Sequence, residues 1–235
     1  MTILEHISEV LSRVSGGVYS IVRAVRDIFR SDPELRRKVS FSIALIALSA
    51  KMAKADGVVT MDEVKAFHEF FAVPPEEMRN VSRLYHLAQQ DIAGFETYAR
   101  QMAGLCGSEA HDCAMLEDIL DCLYHVAKAD GVVHEREQKY LARIAEIFEI
   151  EESHFAQIQA RHLLDGAADP YVLLGLSPGA TVDEVKKRYR QLVAENHPDR
   201  LIARGVPEEF IIIANGRLAA LNGAYERLEL LWRGA

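Results

Sequence analysis

Apolar side chains recur at three- and four-residue spacing along most of this chain, which predicts helices from end to end and an all-α fold. In the first 30 residues Ile3, Leu4, Ile7, Val10, Leu11, Val14, Val18, Ile21, Val22, Val25, Ile28 and Phe29 keep that spacing. Gly16 and Gly17 interrupt the run and bend or break its helix. A stripe of this kind has two uses. Left exposed, it joins two copies into a homodimer or lies along a membrane surface, a peripheral association through residues 1–30. Covered, it packs on the neighbouring domain, which is the more ordinary outcome.

The next segment repeats itself. Ala53-Lys54-Ala55-Asp56-Gly57-Val58-Val59 recurs 74 positions later as Ala127-Lys128-Ala129-Asp130-Gly131-Val132-Val133. At the same shift Glu63 meets Glu137, Lys65 meets Lys139, and Phe67 and Phe70 meet Leu141 and Ile144. Each copy reads as helix, Asp-Gly turn, helix. Phe41, Leu45, Leu48 and Met52 face one way before the first turn; Val64, Phe67, Phe70 and Phe71 follow it and stop before Pro74-Pro75. Leu116, Ile119, Leu120, Leu123 and Val126 precede the second turn, and Tyr140, Leu141, Ile144, Ile147 and Phe148 follow it. Further helices are predicted over 76–90, 95–105 and 151–164.

Gly166-Ala167-Ala168 is small, uncharged and reads as a linker. Behind it stand Asp169-Pro170-Tyr171, Leu173-Leu174-Gly175-Leu176 and the turn-forming Ser177-Pro178-Gly179-Ala180. Thr181 with Glu184 forms a capping box that starts a helix. Val182, Val185, Tyr189, Leu192 and Val193 make its apolar face, which puts Lys186, Lys187 and Arg190 on the solvent side. Pro198 disfavours helical geometry at His197, so this helix ends near Asn196. A last helix is expected from about Pro207, with Ile211, Ala214, Leu218, Leu221, Tyr225, Leu228 and Trp232 as its stripe. The chain thus divides into residues 1–40, 41–165, a linker at 166–168, and 169–235.

Charge sharpens the division. The net charge is −8, but residues 41–168 hold 11 Lys or Arg against 21 Asp or Glu. Residues 169–235 hold nine of each. An acidic middle repels nucleic acid and leaves no basic footprint for it. With 49% hydrophobic and 26% charged residues the composition is that of a globular protein. Cys106, Cys113 and Cys122 fit no zinc spacing, and an odd count argues against a disulfide framework. The longest charge-free apolar run near the start, Val39 to Ala50, is 12 residues, short of the roughly 20 that span a bilayer. No secretory signal or spanning segment is expected, and a cytoplasmic protein is.

His197-Pro198-Asp199 is the tripeptide that could carry function, because of what surrounds it. It follows a basic amphipathic helix, precedes a second long helix, and lies behind Asp-Pro-Tyr-x-x-Leu-Gly-Leu, with Leu221-Asn222-Gly223-Ala224-Tyr225-Glu226 closing the segment. Residues 169–232 resemble a J domain of the DnaJ family. The duplicated Asp-Gly unit over 41–165 resembles the TerB-type domain of tellurite-resistance proteins. The combination looks like the DjlA type of bacterial co-chaperone. That resemblance implies a protein that stimulates a DnaK-type chaperone ATPase, docking through His197, Pro198, Asp199, Lys186, Lys187 and Arg190. It implies no cofactor of its own, and a client chosen elsewhere in the chain. In that reading Asp199 pairs with a basic group of the partner, Pro198 stiffens the loop and His197 holds its shape. Members of the type can carry an N-terminal membrane helix, and this sequence departs from them there.

Two other readings stand beside it: a metal-binding stress-response module, and a scaffold whose J domain does not stimulate. TerB-type domains are associated with acidic metal ligands, and Asp56, Glu63, Asp130 and Glu137 match that pattern as sites for a divalent cation. The structural alternative is that Gly57 and Gly131 end helices while Thr60 and Glu63 cap the next one. His134 replaces Thr60 in the second copy, a poorer cap. An EF-hand is excluded for want of oxygen ligands before the glycine. Catalysis is not expected: His197 and Asp199 straddle a proline, and no nucleophile elbow or phosphate-cradling loop occurs.

Overall fold

The computed structural model describes residues 3–14, 16–56, 78–91, 93–104, 114–128, 131–162, 168–204, 206–208 and 211–233. Among these the regular structure is helical, with no strand. In chain order the helices are α1 Ile3–Ser12, α2 Gly17–Ile28, α3 Pro33–Asp56, α4 Met78–Gln90, α5 Phe95–Ala103, α6 Ala114–Ala127 and α7 Glu135–Ile147. Then come α8 Glu152–His162, α9 Pro170–Leu173, α10 Val182–Glu195, α11 Pro198–Arg204 and α12 Ile212–Arg233. They form two compact units, Met1–Ile150 with Gly205–Phe210, and Glu151–Arg204 with Ile211–Ala235.

In the first unit α3 is the central helix and packs against α1, α2, α4, α5, α6 and α7. The predicted face of Phe41, Leu45, Leu48 and Met52 is buried, but so are Ile43, Ala44, Ile46 and Ala47 on its other sides. A helix wrapped by neighbours is apolar all round, which is why the charge-free run from Val39 to Ala50 sits here. The N-terminal stripe is covered too. Ile7, Val10, Leu11, Val18, Ile21, Val22 and Val25 are all at most 3% exposed within this unit. These seven side chains therefore belong to the core of this unit. Among the described residues no helix is long and apolar enough to cross a membrane. Cys122 is buried, whereas Cys106, Cys113 and the predicted helix carrying Val64 to Phe71 lie outside the described residues.

One polar cluster ties this unit together. Lys51 of α3 is 5% exposed. Its Nζ donates to the carbonyls of Asp91 at 2.9 Å and Ala93 at 2.6 Å, 4.7 Å from the centre of the Tyr98 ring. The Asp91 carboxylate accepts from the backbone N–H of Val18 at 2.9 Å, that of Ala93 at 3.0 Å and the Tyr98 hydroxyl at 2.8 Å. Val18 lies in the first turn of α2, where an anion satisfies orphan N–H groups. Burial pushes the Asp91 carboxyl up, but the hydrogen bonds from Ala93, Tyr98 and Val18 and the charge of Lys51 outweigh it and hold it below its ordinary value. A carboxylate depressed on folding stabilises the fold above its unfolded value of about 3.9 and loses that contribution as pH falls through its folded value. The acid limb of the stability curve is therefore expected to flatten in Asp91→Asn, measured by urea melts between pH 5 and pH 2.

At the 74-residue shift α3 of the first copy corresponds to α6 of the second. At the same shift α4 corresponds to α8. Their packing differs: α4 lies in the first unit against α3, whereas α8 lies in the second unit against α9. Ala160 of α8 joins Ala168, Leu173, Leu174, Val185, Leu192, Leu221, Ala224 and Leu228 in one apolar core. The second compact unit thus opens at Glu151, ahead of the small residues expected to form a linker. Ala168, the last of them, is 7% exposed, and its carbonyl accepts from Arg227 Nη1 at 2.9 Å.

Candidate functional site

Short-range capping builds the second unit. Asp169 accepts from the backbone N–H of Tyr171 at 2.8 Å, and Pro170 opens α9 as its first residue. After α9 the chain reverses at Gly175, with φ of 63°. A Cβ there would stand 2.6 Å from Gln157 Nε2 and 3.0 Å from Gln157 Cδ, so a larger residue would push back the Gln157 amide as well as strain the left-handed backbone that glycine adopts freely. At the start of α10 the predicted capping box is present. Thr181 N–H donates to Glu184 Oε2 at 2.7 Å, and Glu184 N–H to Thr181 Oγ1 at 3.3 Å. Hydrogen bonds from the Thr181 backbone N–H and from its hydroxyl hold the Glu184 carboxyl below its usual value.

Helices α10 and α12 form a hairpin. Val185 and Leu192 of α10 bury against Leu221, Ala224 and Leu228 of α12. Tyr189 stacks on Tyr225 at 4.3 Å between ring centres, and its hydroxyl donates to Asn222 Oδ1 at 2.9 Å. Val182, assigned to the apolar face, is 37% exposed because it begins the helix, ahead of the contact. The helix ends where expected, at Glu195, with Asn196 as its C-cap.

A short helix not anticipated follows at once. Pro198 is the first residue of α11, which places the tripeptide at a helix start rather than in an open loop. His197 Nδ1 accepts from the Asp199 backbone N–H at 3.3 Å, and its carbonyl accepts from Arg200 N–H at 2.9 Å. Asp199 Oδ2 stands 3.5 Å from His197 Nδ1. The side chains remain open to solvent, His197 at 56% and Asp199 at 86%. His197 therefore shapes the turn from within, while Asp199 offers its carboxylate outward. Helix α12 starts at Ile212, later than the Pro207 expected from sequence.

Lys186, Lys187 and Arg190 are exposed on α10, the two lysines four and three residues before the arginine and so each beside it on the helix surface. About 11 residues separate Lys186 from His197, roughly 16 Å along a helix axis. Arg188, between them, is engaged: its Nε donates to the Leu174 carbonyl at 3.3 Å and its Nη1 lies 3.9 Å from Glu195. The basic face and the tripeptide thus lie on one rigid hairpin, anchored from behind by Arg188.

Of the four acids considered for a cation, Glu63, Asp130 and the side chain of Asp56 lie outside the described residues. Glu137 is 3% exposed, and its Oε2 accepts from the His134 backbone N–H at 2.8 Å. The carboxylate thus reaches back to the N-cap of α7 from its third position, as a capping box requires. Gly131 has φ of 99° and ends the preceding turn as its type suggests.

Two features of the site escape the sequence reading. Arg217, on the inner side of α12, donates to Asn196 Oδ1 at 3.4 Å, and Asn196 Nδ2 donates to the Leu192 carbonyl at 2.9 Å. Exposed Arg200 adds a further cation beside Asp199.

The chain matches two protein families: Tellurite resistance protein TerB over residues 42–160 and the DnaJ domain over residues 169–229. It is 28% identical over 218 residues to the co-chaperone protein DjlA of Photobacterium profundum, covering 82% of this chain and 78% of that relative. The DjlA of Coxiella burnetii is 26% identical over 219 residues, covering 85% and 80%. That of Shewanella oneidensis is 46% identical over 61 residues, 26% of this chain and 23% of the relative. No solved structure matches the chain. The chain belongs to the TerB family and carries a DnaJ domain behind its TerB part, the domain order of the DjlA type.

Proposed function

We propose that this protein is a co-chaperone that docks on a DnaK-type chaperone through its J domain and accelerates ATP hydrolysis there, its TerB part supplying client, location or metal input. One observation carries the reading: Asp199 is presented outward at a fixed helix start, on the same hairpin as the exposed Lys186, Lys187 and Arg190. A cationic helix face steers encounter with an acidic partner, and a rigid turn fixes the contact once made. In this reading the hydrolysis is the partner's. A single-turnover ATPase assay with a DnaK chaperone tests the proposal. Acceleration by the full chain supports it, and a rate equal to DnaK alone leaves a scaffold. We place the protein in the cytoplasm with its partner, which cell fractionation checks.

The basic face predicts a separate phenotype. Lys186→Ala, Lys187→Ala and Arg190→Ala together are expected to weaken association about ten-fold at low ionic strength, each exposed charge contributing little. The defect shrinks near 0.15 M salt, where screening acts within about 8 Å. Raising the concentration of the variant restores full stimulation.

A divalent cation at Asp56, Glu63, Asp130 and Glu137 is a second proposal, resting on the repeat. Calorimetry with calcium, magnesium, manganese and zinc, paired with thermal melts, decides it: heat and a raised midpoint support a site, and neither leaves the acids as helix caps.

A further inference from the structure

We propose that Arg217 is a positioning residue for the His197–Asp199 turn, holding it through Asn196; the inference rests on the co-chaperone reading. The buried stripe of α12 runs Ala214, Arg217, Leu221, Ala224, Leu228, at three- and four-residue intervals. An aliphatic side chain is the cheap choice at the second of these places. Arginine there is 5% exposed, and burying a guanidinium costs stability unless its hydrogen bonds return it. Replacing buried ionic groups with apolar ones of similar size is often neutral or stabilising. A charged residue at a core position is thus poorly explained by stability alone.

What Arg217 touches supplies the reason. Its Nη1 reaches Asn196 Oδ1, and the Asn196 amide donates in turn to the carbonyl of Leu192. The backbone N–H of Asn196 donates to that same carbonyl at 2.9 Å. Asn196 therefore closes the last turn of α10, and the next residue is His197. Pro198 ends α10 at this residue, and the cross-hairpin link from α12 fixes the direction in which the chain leaves it. That direction sets the Nδ1 of His197 against Asp199 N–H and hence the aim of the Asp199 carboxylate. Methionine at 217 would fill similar length and leave the C-cap without its cross-link.

The test uses the full chain with Arg217→Met, Arg217→Lys and Asn196→Ala. Arg217→Met is expected to melt no lower than the wild type, while the amides of Asp199, Arg200 and Leu201 exchange about five-fold faster or more, the loss of roughly one hydrogen bond. Stimulation of DnaK at saturating protein falls by a similar factor, and Arg217→Lys, which keeps a donor, recovers part of both. Asn196→Ala, outside the core, reproduces the faster exchange, and combining it with Arg217→Met adds little, as for two ends of one contact. Wild-type exchange and wild-type stimulation in Arg217→Met would overturn the proposal. So would a lowered melting point with the amides of the turn unchanged, which marks a structural role. If the wild-type chain itself fails to stimulate, the co-chaperone reading falls, and amide exchange still decides whether Arg217 orders the turn.

Discussion

Asp199→Asn is expected to abolish stimulation of a DnaK-type chaperone while leaving the melting of the chain essentially unchanged. The carboxylate is 86% exposed, and an amide of the same shape keeps the backbone N–H that His197 caps. Substitutions at such positions usually move stability by under about 0.5 kcal/mol. A large loss of activity then reports a missing contact with the partner and not unfolding. His197→Gln is expected to act differently at the molecular level and alike in the assay. It removes the ring nitrogen that accepts from Asp199 N–H, so the turn loosens and the carboxylate loses its aim. Both variants should fail even at saturating protein, in contrast to the Lys186, Lys187 and Arg190 changes, which concentration rescues. An Asp199→Asn chain that stimulates as well as the wild type would sink the co-chaperone reading.

Where local chemistry decides a feature, the sequence exposes it. Thr181 and Glu184 announce the start of α10, and Pro198 sets its end at Asn196. The tripeptide and the exposed cations of α10 follow from the same few residues. Features set by packing are less legible. A stripe through Phe41, Leu45, Leu48 and Met52 predicts one buried face for α3, yet the six helices around it bury every side. Only the charge-free run from Val39 to Ala50 hints at this. The stripe over residues 1–30 is visible, but nothing local says that the first unit covers it. Arg217 escapes notice because a charged residue between apolar ones reads as solvent-facing; its role appears only once Asn196 is placed beside it. Pro198 discloses where α10 ends and hides that it also begins α11, since proline disfavours helix before itself and favours it after.

Helix α8 shows how a repeat and a fold unit can disagree, and it makes the last prediction. By sequence α8 is the counterpart of α4, and all but its last two residues lie within the TerB match, which extends to residue 160. By packing it belongs with the DnaJ domain: Ala160 enters the core of α9, α10 and α12, and the Gln157 amide lies against Gly175. A fragment beginning at Asp169 keeps the hairpin, the Asp169 cap and the Thr181–Glu184 capping box but uncovers Leu173 and Leu174. Exposing the area of one or two aliphatic side chains costs on the order of 2 kcal/mol. For a domain of this size that corresponds to a fall in midpoint of about 10 °C. A fragment beginning at Glu151 is therefore expected to melt cooperatively and higher than one beginning at Asp169. Circular dichroism melts of the two fragments decide it. Equal midpoints would mean that α8 merely lies near the DnaJ domain. A lower midpoint for the shorter fragment, matched by Ala160→Asp in the longer one, would make α8 part of that domain, because an aspartate at a position 5% exposed cannot be accommodated without opening the contact.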